Sequence, residues 1–162
     1  MSLDFFQSSC QETISDNLFG LCDDQDGRRA YTNTYDPRRW VATVKNDGNL
    51  RLVFTAIDNC IMQSDEYQGN PRCDGMLNSD EHLFFVELKD KRIGWIEEAI
   101  AQLESTIQLF VENHGMPRQK HRKAFACNKA HPHFSIFDNE RNKRFFSTYG
   151  FRLDAQAEII VI

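Results

Sequence analysis

The chain has 162 residues, of which 41% are hydrophobic and 27% charged, and a formal net charge of −5 at pH 7. That length suits one hydrophobic core rather than two, and the balance is that of a globular chain, not a disordered one. The acidic total argues against a general nucleic-acid coat protein, and no apolar run approaches the ~20 residues that span a bilayer.

The N-terminal stretch MSLDFFQSSCQE has no basic segment followed by an apolar one, so no signal peptide is expected. Cys10, Cys22, Cys60, Cys73 and Cys127 are odd in number, widely spaced and without a C-x-x-C pair. They fit reduced thiols in a cytoplasmic protein better than a disulfide framework.

Phe5, Phe6, Cys10, Ile14, Leu18 and Leu21 fall near helical spacing, which predicts a first helix within residues 4–21. The stretch CDDQDGRRAYTNTYDPRR then carries the Asp, Gly and Pro of loops. Asn46-Asp47-Gly48-Asn49 is a turn signal, and it predicts a hairpin joining Arg39–Lys45 to Asn49–Ala56. Leu50–Met62 is rich in strand formers, Gln63–Pro71 is a polar loop, and Arg72–Leu77 is a short strand before the turn at Asn78-Ser79-Asp80. Leu83–Leu88 is a near-continuous apolar run, as in a strand covered on both faces.

Ile96, Ala99, Ile100, Leu103, Ile107, Phe110 and Val111 form the apolar stripe of a helix over residues 93–112. His114-Gly115-Met116-Pro117 ends it. Lys123–Cys127 is a strand, Asp138–Thr148 a helix with Asp138 as N-cap and Gly150 as its stop, and Ala157–Ile162 a last strand. The order is αβββαβ, an α/β fold with a mixed central sheet flanked by helices. The crossover through helix 93–112 joins parallel strands, and the preceding strands form an antiparallel meander. The whole chain is one domain, with residues 1–49 as an N-terminal extension.

Charge is unevenly placed. Residues 1–113 hold 10 Lys and Arg against 20 Asp and Glu, whereas residues 114–154 hold 9 against 3. The basic third is either a solvated face or a surface for phosphates.

Glu87 and Lys89 are two apart on one strand, so they share a face at the end of a buried run. Such charges are costly unless paired or metal-bound. Asp74, on the preceding strand, comes beside Glu87 if the two strands pair antiparallel. A hard divalent cation relieves the repulsion between two adjacent carboxylates, lowers the pKa of water and polarises a phosphate oxygen. Lys89 is then suited to orient water or offset charge in the transition state.

Cys73-Asp74-Gly75 followed by Phe85-Val86-Glu87-Leu88-Lys89 resembles the Asp…Glu-x-Lys signature of the PD-(D/E)XK nuclease superfamily, over roughly residues 50–162. The stretch is also similar to small uncharacterised bacterial proteins with the same pattern. The resemblance implies a restriction-endonuclease-like αβββαβ core. It also implies phosphodiester hydrolysis of nucleic acid, DNA by analogy, with Mg²⁺ or Mn²⁺ as cofactor. It makes Asp74, Glu87 and Leu88 the metal set and Lys89 the catalytic lysine. Gln102 matches a glutamine that many members carry on the next helix. At about 100° per residue it sits about 120° from the centre of the apolar stripe, on its flank. Glu12 is the candidate for the glutamate some members place on the first helix. No proline directly precedes Asp74; Pro71 is three residues earlier.

If the site cuts nucleic acid, Arg118, Lys120, Arg122, Lys123, Lys129, Arg141, Lys143 and Arg144 are candidates for its phosphate-binding rim. Phe145, Phe146 and Tyr149 are placed either to stack bases or to face the core. Cys127, His131 and His133 are zinc-ligand types without a fourth partner at standard spacing, and exposed loop histidines explain them better. Asp58 interrupts an apolar strand and marks a bulge or a third acidic group. The alternative function is a non-catalytic interaction module on the same fold, and a third option is a dimeric nuclease subunit, a homodimer or one that needs a protein partner for targeting.

Overall fold

The computed structural model describes residues 3–63, 69–132 and 139–162. Asp138 and His133, expected as an N-cap and a loop ligand, lie outside them. Ten strands run in chain order as β1 (Gln11–Ile14), β2 (Leu18–Cys22), β3 (Tyr31–Asn33), β4 (Ala42–Lys45), β5 (Leu52–Ala56), β6 (Gly75–Asn78), β7 (His82–Lys89), β8 (His121–Asn128), β9 (Arg152–Asp154) and β10 (Glu158–Ile160). Helix α1 (Ile96–His114) lies between β7 and β8, and α2 (Asn139–Tyr149) between β8 and β9. No helix among the described residues is long and apolar enough to cross a membrane.

The strands form a six-stranded sheet in the order β1-β5-β6-β7-β8-β9 and a four-stranded sheet in the order β10-β4-β2-β3. In the larger sheet β1, β5, β6 and β7 pair antiparallel, then β7, β8 and β9 pair parallel. This is a mixed α/β architecture, and the stretch from β5 to β8 follows the expected meander and crossover.

Strand β7 explains the layering. Its side chains alternate faces. Leu83 and Phe85 meet Ile100, Leu103, Ile107 and Phe110 of α1 and Phe145 of α2. Phe84, Val86 and Leu88 meet Phe19, Leu21, Val44 and Ile159 of the second sheet. Two cores thus sandwich one sheet, which is why its central strand reads as an unbroken apolar run. Gly115 (φ +76) closes α1, and its N–H donates to Val111 O at 2.8 Å. Gly150 (φ +75) closes α2 in the same way on Phe146 O.

Four expectations are corrected. Residues 4–21 contain no α-helix but a short 3-10 turn (Ser8–Cys10), β1 and β2. Their apolar residues serve different cores: Phe5 and Cys10 pack on the helix side, Ile14, Phe19 and Leu21 between the sheets. One helical stripe cannot face both. The turn at residues 46–49 forms, with Asn49 at φ +49 and its N–H on Asn46 O, yet no hairpin results. The fully buried Asn46 bonds Leu50 N, Leu50 O and Asp16 O, and the chain passes from β4 in one sheet to β5 in the other. The strand expected from Arg72 joins the ladder only at Gly75. Finally, Cys10 and Cys60 form a disulfide, while Cys22, Cys73 and Cys127 are free and buried. A partner 50 residues away is invisible to spacing rules.

Candidate functional site

The site lies at the carboxyl ends of β7 and β8, where parallel strands commonly place their ligands. Asp74 precedes β6 by one residue. Its N–H donates to Val86 O at 3.1 Å, and its Oδ2 accepts the Leu88 N–H at 2.7 Å. A side chain therefore takes up a backbone donor where the β6–β7 ladder has ended. Helix α1 fixes the approach to Asp74: Thr106 Oγ1 accepts Cys73 N–H at 2.8 Å, and Gln102 Nε2 donates to Arg72 O at 3.1 Å. Gly75 is needed next to Asp74 because a Cβ there would lie 2.4 Å from Phe54 Cζ and 3.0 Å from Thr55 O.

Glu87 and Lys89 share the α1 face of β7, as their spacing predicts. Lys89 Nζ pairs with Glu87 Oε2 at 3.2 Å and makes a short contact with Glu98 in the first turn of α1. Lys91 reaches the other oxygen of Glu98 at 3.2 Å. Asp74, Glu87 and Lys89 are only 6%, 3% and 7% exposed, so three ionisable groups meet almost without water. Two atoms there are orphaned: Glu87 Oε1 and Gln102 Oε1 are buried with no hydrogen-bond partner. A buried unsatisfied acceptor is costly and calls for an explanation.

The five residues Asp74, Glu87, Leu88, Lys89 and Gln102 line one cleft of about 240 Å³. Larger clefts exist, including one of about 850 Å³ at the other end of β7, but this is the one lined by the buried Asp74, Glu87 and Lys89. Its roof was missed by sequence reasoning. The loop between β2 and β3, which reads as a plain turn segment, brings Asp23, Gln25 and Arg28 over the carboxyl end of β7. Gln25 holds a left-handed conformation (φ +59) and donates from Nε2 to Leu88 O at 3.1 Å, while its N–H donates to Asp23 Oδ1 at 2.8 Å. A non-glycine residue in that region is strained and marks a constrained site. Asp58 also reaches the cleft wall, where it pairs with Arg72 at 2.7 Å.

The electrostatics follow from burial. Burial pushes the Asp74 carboxyl well above the usual range, and the charges of Glu87 and Asp23 push it further. Burial lifts Glu87 to about 7, and Lys89 offsets part of that rise. Burial pulls Lys89 down, but Glu87 and Glu98 more than reverse it, so the ammonium is held charged. Burial likewise raises the Cys73 thiol well above its ordinary value; it is no nucleophile.

Among the described residues no group of three or more His, Cys, Asp or Glu side chains is gathered to hold a metal ion. A cation in the cleft would draw on the two carboxylates of Asp74 and Glu87 and on the Leu88 carbonyl. That carbonyl has a second lone pair beyond its bond from Gln25. An all-oxygen set of this kind fits a hard divalent ion, and the orphaned Oε1 of Glu87 is the atom left for it.

Other expected residues lie apart from the cleft. Glu12 is on β1, where its carboxylate accepts from Thr32 N and Oγ1 at 3.1 and 2.9 Å, so it is not a site glutamate. Arg118, Lys120, Arg122 and Lys123 precede or begin β8, level with His82. Five strand residues separate His82 from Glu87, about 17 Å. Lys123 pairs with Asp154 at 3.9 Å. Lys129 is at the site's end of β8, but its ammonium donates to Arg38 O at 2.6 Å. Arg141 grips Glu97 through two 2.7 Å bonds. The basic residues therefore form no continuous rim. Cys127 Sγ donates to Gln156 O between the sheets, whereas His131 Nε2 lies 3.1 Å from Arg92 O and its ring stacks on Trp95. The two face no common site.

Compared with family models, curated proteins and solved structures, the chain matches none of them.

Proposed function

We propose that the chain is a divalent-cation-dependent phosphodiesterase acting on nucleic acid, with an active site of the PD-(D/E)XK kind. The observation that carries this reading is the buried, unpartnered Glu87 Oε1 beside Asp74, in a cleft that also holds a charged lysine. The order Asp74, Glu87-x-Lys89, then Gln102 on the following helix supports it. So does the β5-β6-β7-α1-β8 sequence of elements. The first helix of the restriction-endonuclease-like core has no counterpart here; β1 occupies that part of the chain.

Each residue has a task. Asp74 is oriented by the Leu88 N–H through Oδ2 and by the hold of α1 on the preceding backbone. Glu87 presents Oε1. Mg²⁺ or Mn²⁺ held by these carboxylates and the Leu88 carbonyl would supply the positive charge that polarises a phosphate oxygen and acidifies water. Lys89, kept protonated by Glu87 and Glu98, donates hydrogen bonds to the phosphate as negative charge develops on it. Gln102 Oε1 accepts from water or substrate. The shallow cleft leaves little surface for reading sequence, so specificity for a particular DNA site is not expected of this chain alone.

The test has two arms. Millimolar Mg²⁺ or Mn²⁺ is expected to raise the melting temperature by several degrees, since about 2.7 kcal/mol of linkage arises at a hundredfold excess over Kd, and Asp74→Asn to abolish the rise. Cleavage of labelled single- and double-stranded DNA and RNA is expected to need the cation and to fall at least a hundredfold in Lys89→Ala. Cation-independent melting together with no cleavage would favour a non-catalytic interaction module. One observation points that way: Lys89 is held by two carboxylates and the Leu88 carbonyl by Gln25, a self-satisfied arrangement.

A further inference from the structure

We infer that the groove between α2 and the free edge of β9 is a docking surface for single-stranded nucleic acid, in which a base stacks on Phe146 and Lys143 and Arg152 hold the flanking phosphates. The choice of nucleic acid rests on the phosphodiesterase reading above; the geometry is independent of it.

Helix α2 carries two adjacent phenylalanines with opposite fates. Phe145 is 5% exposed and packs in the helix-side core, whereas Phe146 is 51% exposed. Lys143, Phe146 and Ser147 follow i, i+3, i+4 spacing, so they share one face. That face borders a groove of about 640 Å³ whose opposite wall is Arg152, Leu153 and Asp154 of β9. Strand β9 is the last in its sheet. The groove is positively charged. Lys143 and Arg152 have no carboxylate partner among the described residues, and the acid between them, Asp154, is engaged by Lys123 at 3.9 Å. An exposed aromatic and two cations without a carboxylate partner thus border one groove, Lys143 and Phe146 from α2 and Arg152 from β9, the side-chain types that bind a base and its phosphates.

Two comparisons narrow the occupant. A duplex conceals its base faces, so it gains nothing from Phe146. A peptide strand added to β9 would find an edge of only three residues, with few main-chain bonds to offer. The groove is also in register with the cleft. Arg152 pairs with Lys123, which pairs with Phe84; Asp154 pairs with Phe125, which pairs with Val86. The upper end of the groove is thus one residue short of the Glu87 row and two strands away, about 10 Å.

The experiment is fluorescence anisotropy of the full chain in EDTA, where no turnover occurs. The probes are a 12-nucleotide oligo-dT, an oligo-rU of equal length and a 12-base-pair duplex, each titrated at two salt concentrations. Both single strands are expected to bind more tightly than the duplex. Phe146→Ala is expected to weaken them roughly tenfold, within the range for loss of one stacked base. Lys143→Ala with Arg152→Ala is expected to flatten the salt dependence by about 1.4 in the log–log slope, two phosphates' worth. Cation-dependent melting of the wild type is read in a separate assay, so failure of the phosphodiesterase reading and failure of docking are distinguishable. Equal affinity for duplex and single strand, no measurable binding of either single strand, or unchanged binding in Phe146→Ala with an unaltered melting temperature each overturns the proposal.

Discussion

Glu87 offers a sharp test of the buried site, because its carboxyl is lifted from an ordinary 4.5 to about 7. Below pH 4.5 it is protonated in both the folded and unfolded chain and contributes nothing to pH dependence. Between the two values the folded chain keeps a proton that the unfolded chain has released, so stability falls as pH rises. Above about 7 both states are ionised and the penalty is complete. A rise of this size corresponds to about 3 kcal/mol, at about 1.36 kcal/mol per unit. Asp74 is shifted in the same direction, so the two carboxyls titrate as a pair. Replacing Glu87 by Gln removes the ionisation and leaves a side chain of nearly the same shape. Denaturant unfolding of the wild type and of Glu87→Gln at pH 5 and pH 8, without divalent ions, measures the difference. The wild type is expected to lose about 2.5 kcal/mol more than the variant between those values, since part of the loss is already present at pH 5. Adding Mg²⁺ at pH 8 is expected to restore part of the loss in the wild type alone. Parallel pH profiles for the two proteins would refute the claim that burial holds the Glu87 carboxyl above its ordinary value.

Two further predictions concern how the site is held. Gly75→Ala places a methyl 2.4 Å from Phe54 Cζ; thermal melting is expected to show a loss of about 1–3 kcal/mol from overpacking, with cleavage falling because Asp74 is the adjacent residue. Cys10→Ser opens the Cys10–Cys60 bridge, whose ends are 50 residues apart, and by the chain-entropy relation is expected to cost about 4 kcal/mol in non-reducing denaturant titrations. An equal loss on adding dithiothreitol to the wild type is the matching control.

The carboxyl half of the fold was legible because its signals are long. Helix α1 has 19 residues with a stop at Gly115, β7 has eight buried residues in a row, and Glu87 and Lys89 share a face by simple alternation. The amino half was not. Its strands have three to five residues, too few for a period to declare itself, and its apolar residues are divided between two cores. The site was legible in the same proportion. Asp74, Glu87, Lys89 and Gln102 sit together, while the loop that roofs them had only turn chemistry to show. The one available signal was Asp23-Asp24-Gln25-Asp26-Gly27, dense in the residues that tolerate left-handed backbone; nothing local says which strand end it covers. The basic residues were not separable in sequence, because proximity to β8 says nothing about which end of β8 a side chain occupies: Arg122 and Lys123 lie level with Leu83 and Phe84, and Lys129 lies past Asn128 at the other end.

The parallel pairing of β10 with β4 joins Glu158–Ile160 to Thr43–Lys45, across more than two thirds of the chain. Contacts of such long sequence separation form slowly, because the loop entropy precedes the gain. Strands β2, β3 and β4 pair over shorter sequence separations, and in any state that lacked β10 the far edge of β4 would be open. In such a state the amino-terminal sheet is the part of the molecule most exposed to strand exchange with a neighbouring chain. The order of assembly therefore places the aggregation hazard far in sequence from the chemistry. Substitutions in β10 are expected to lower the yield of folded protein more than they alter the cleft.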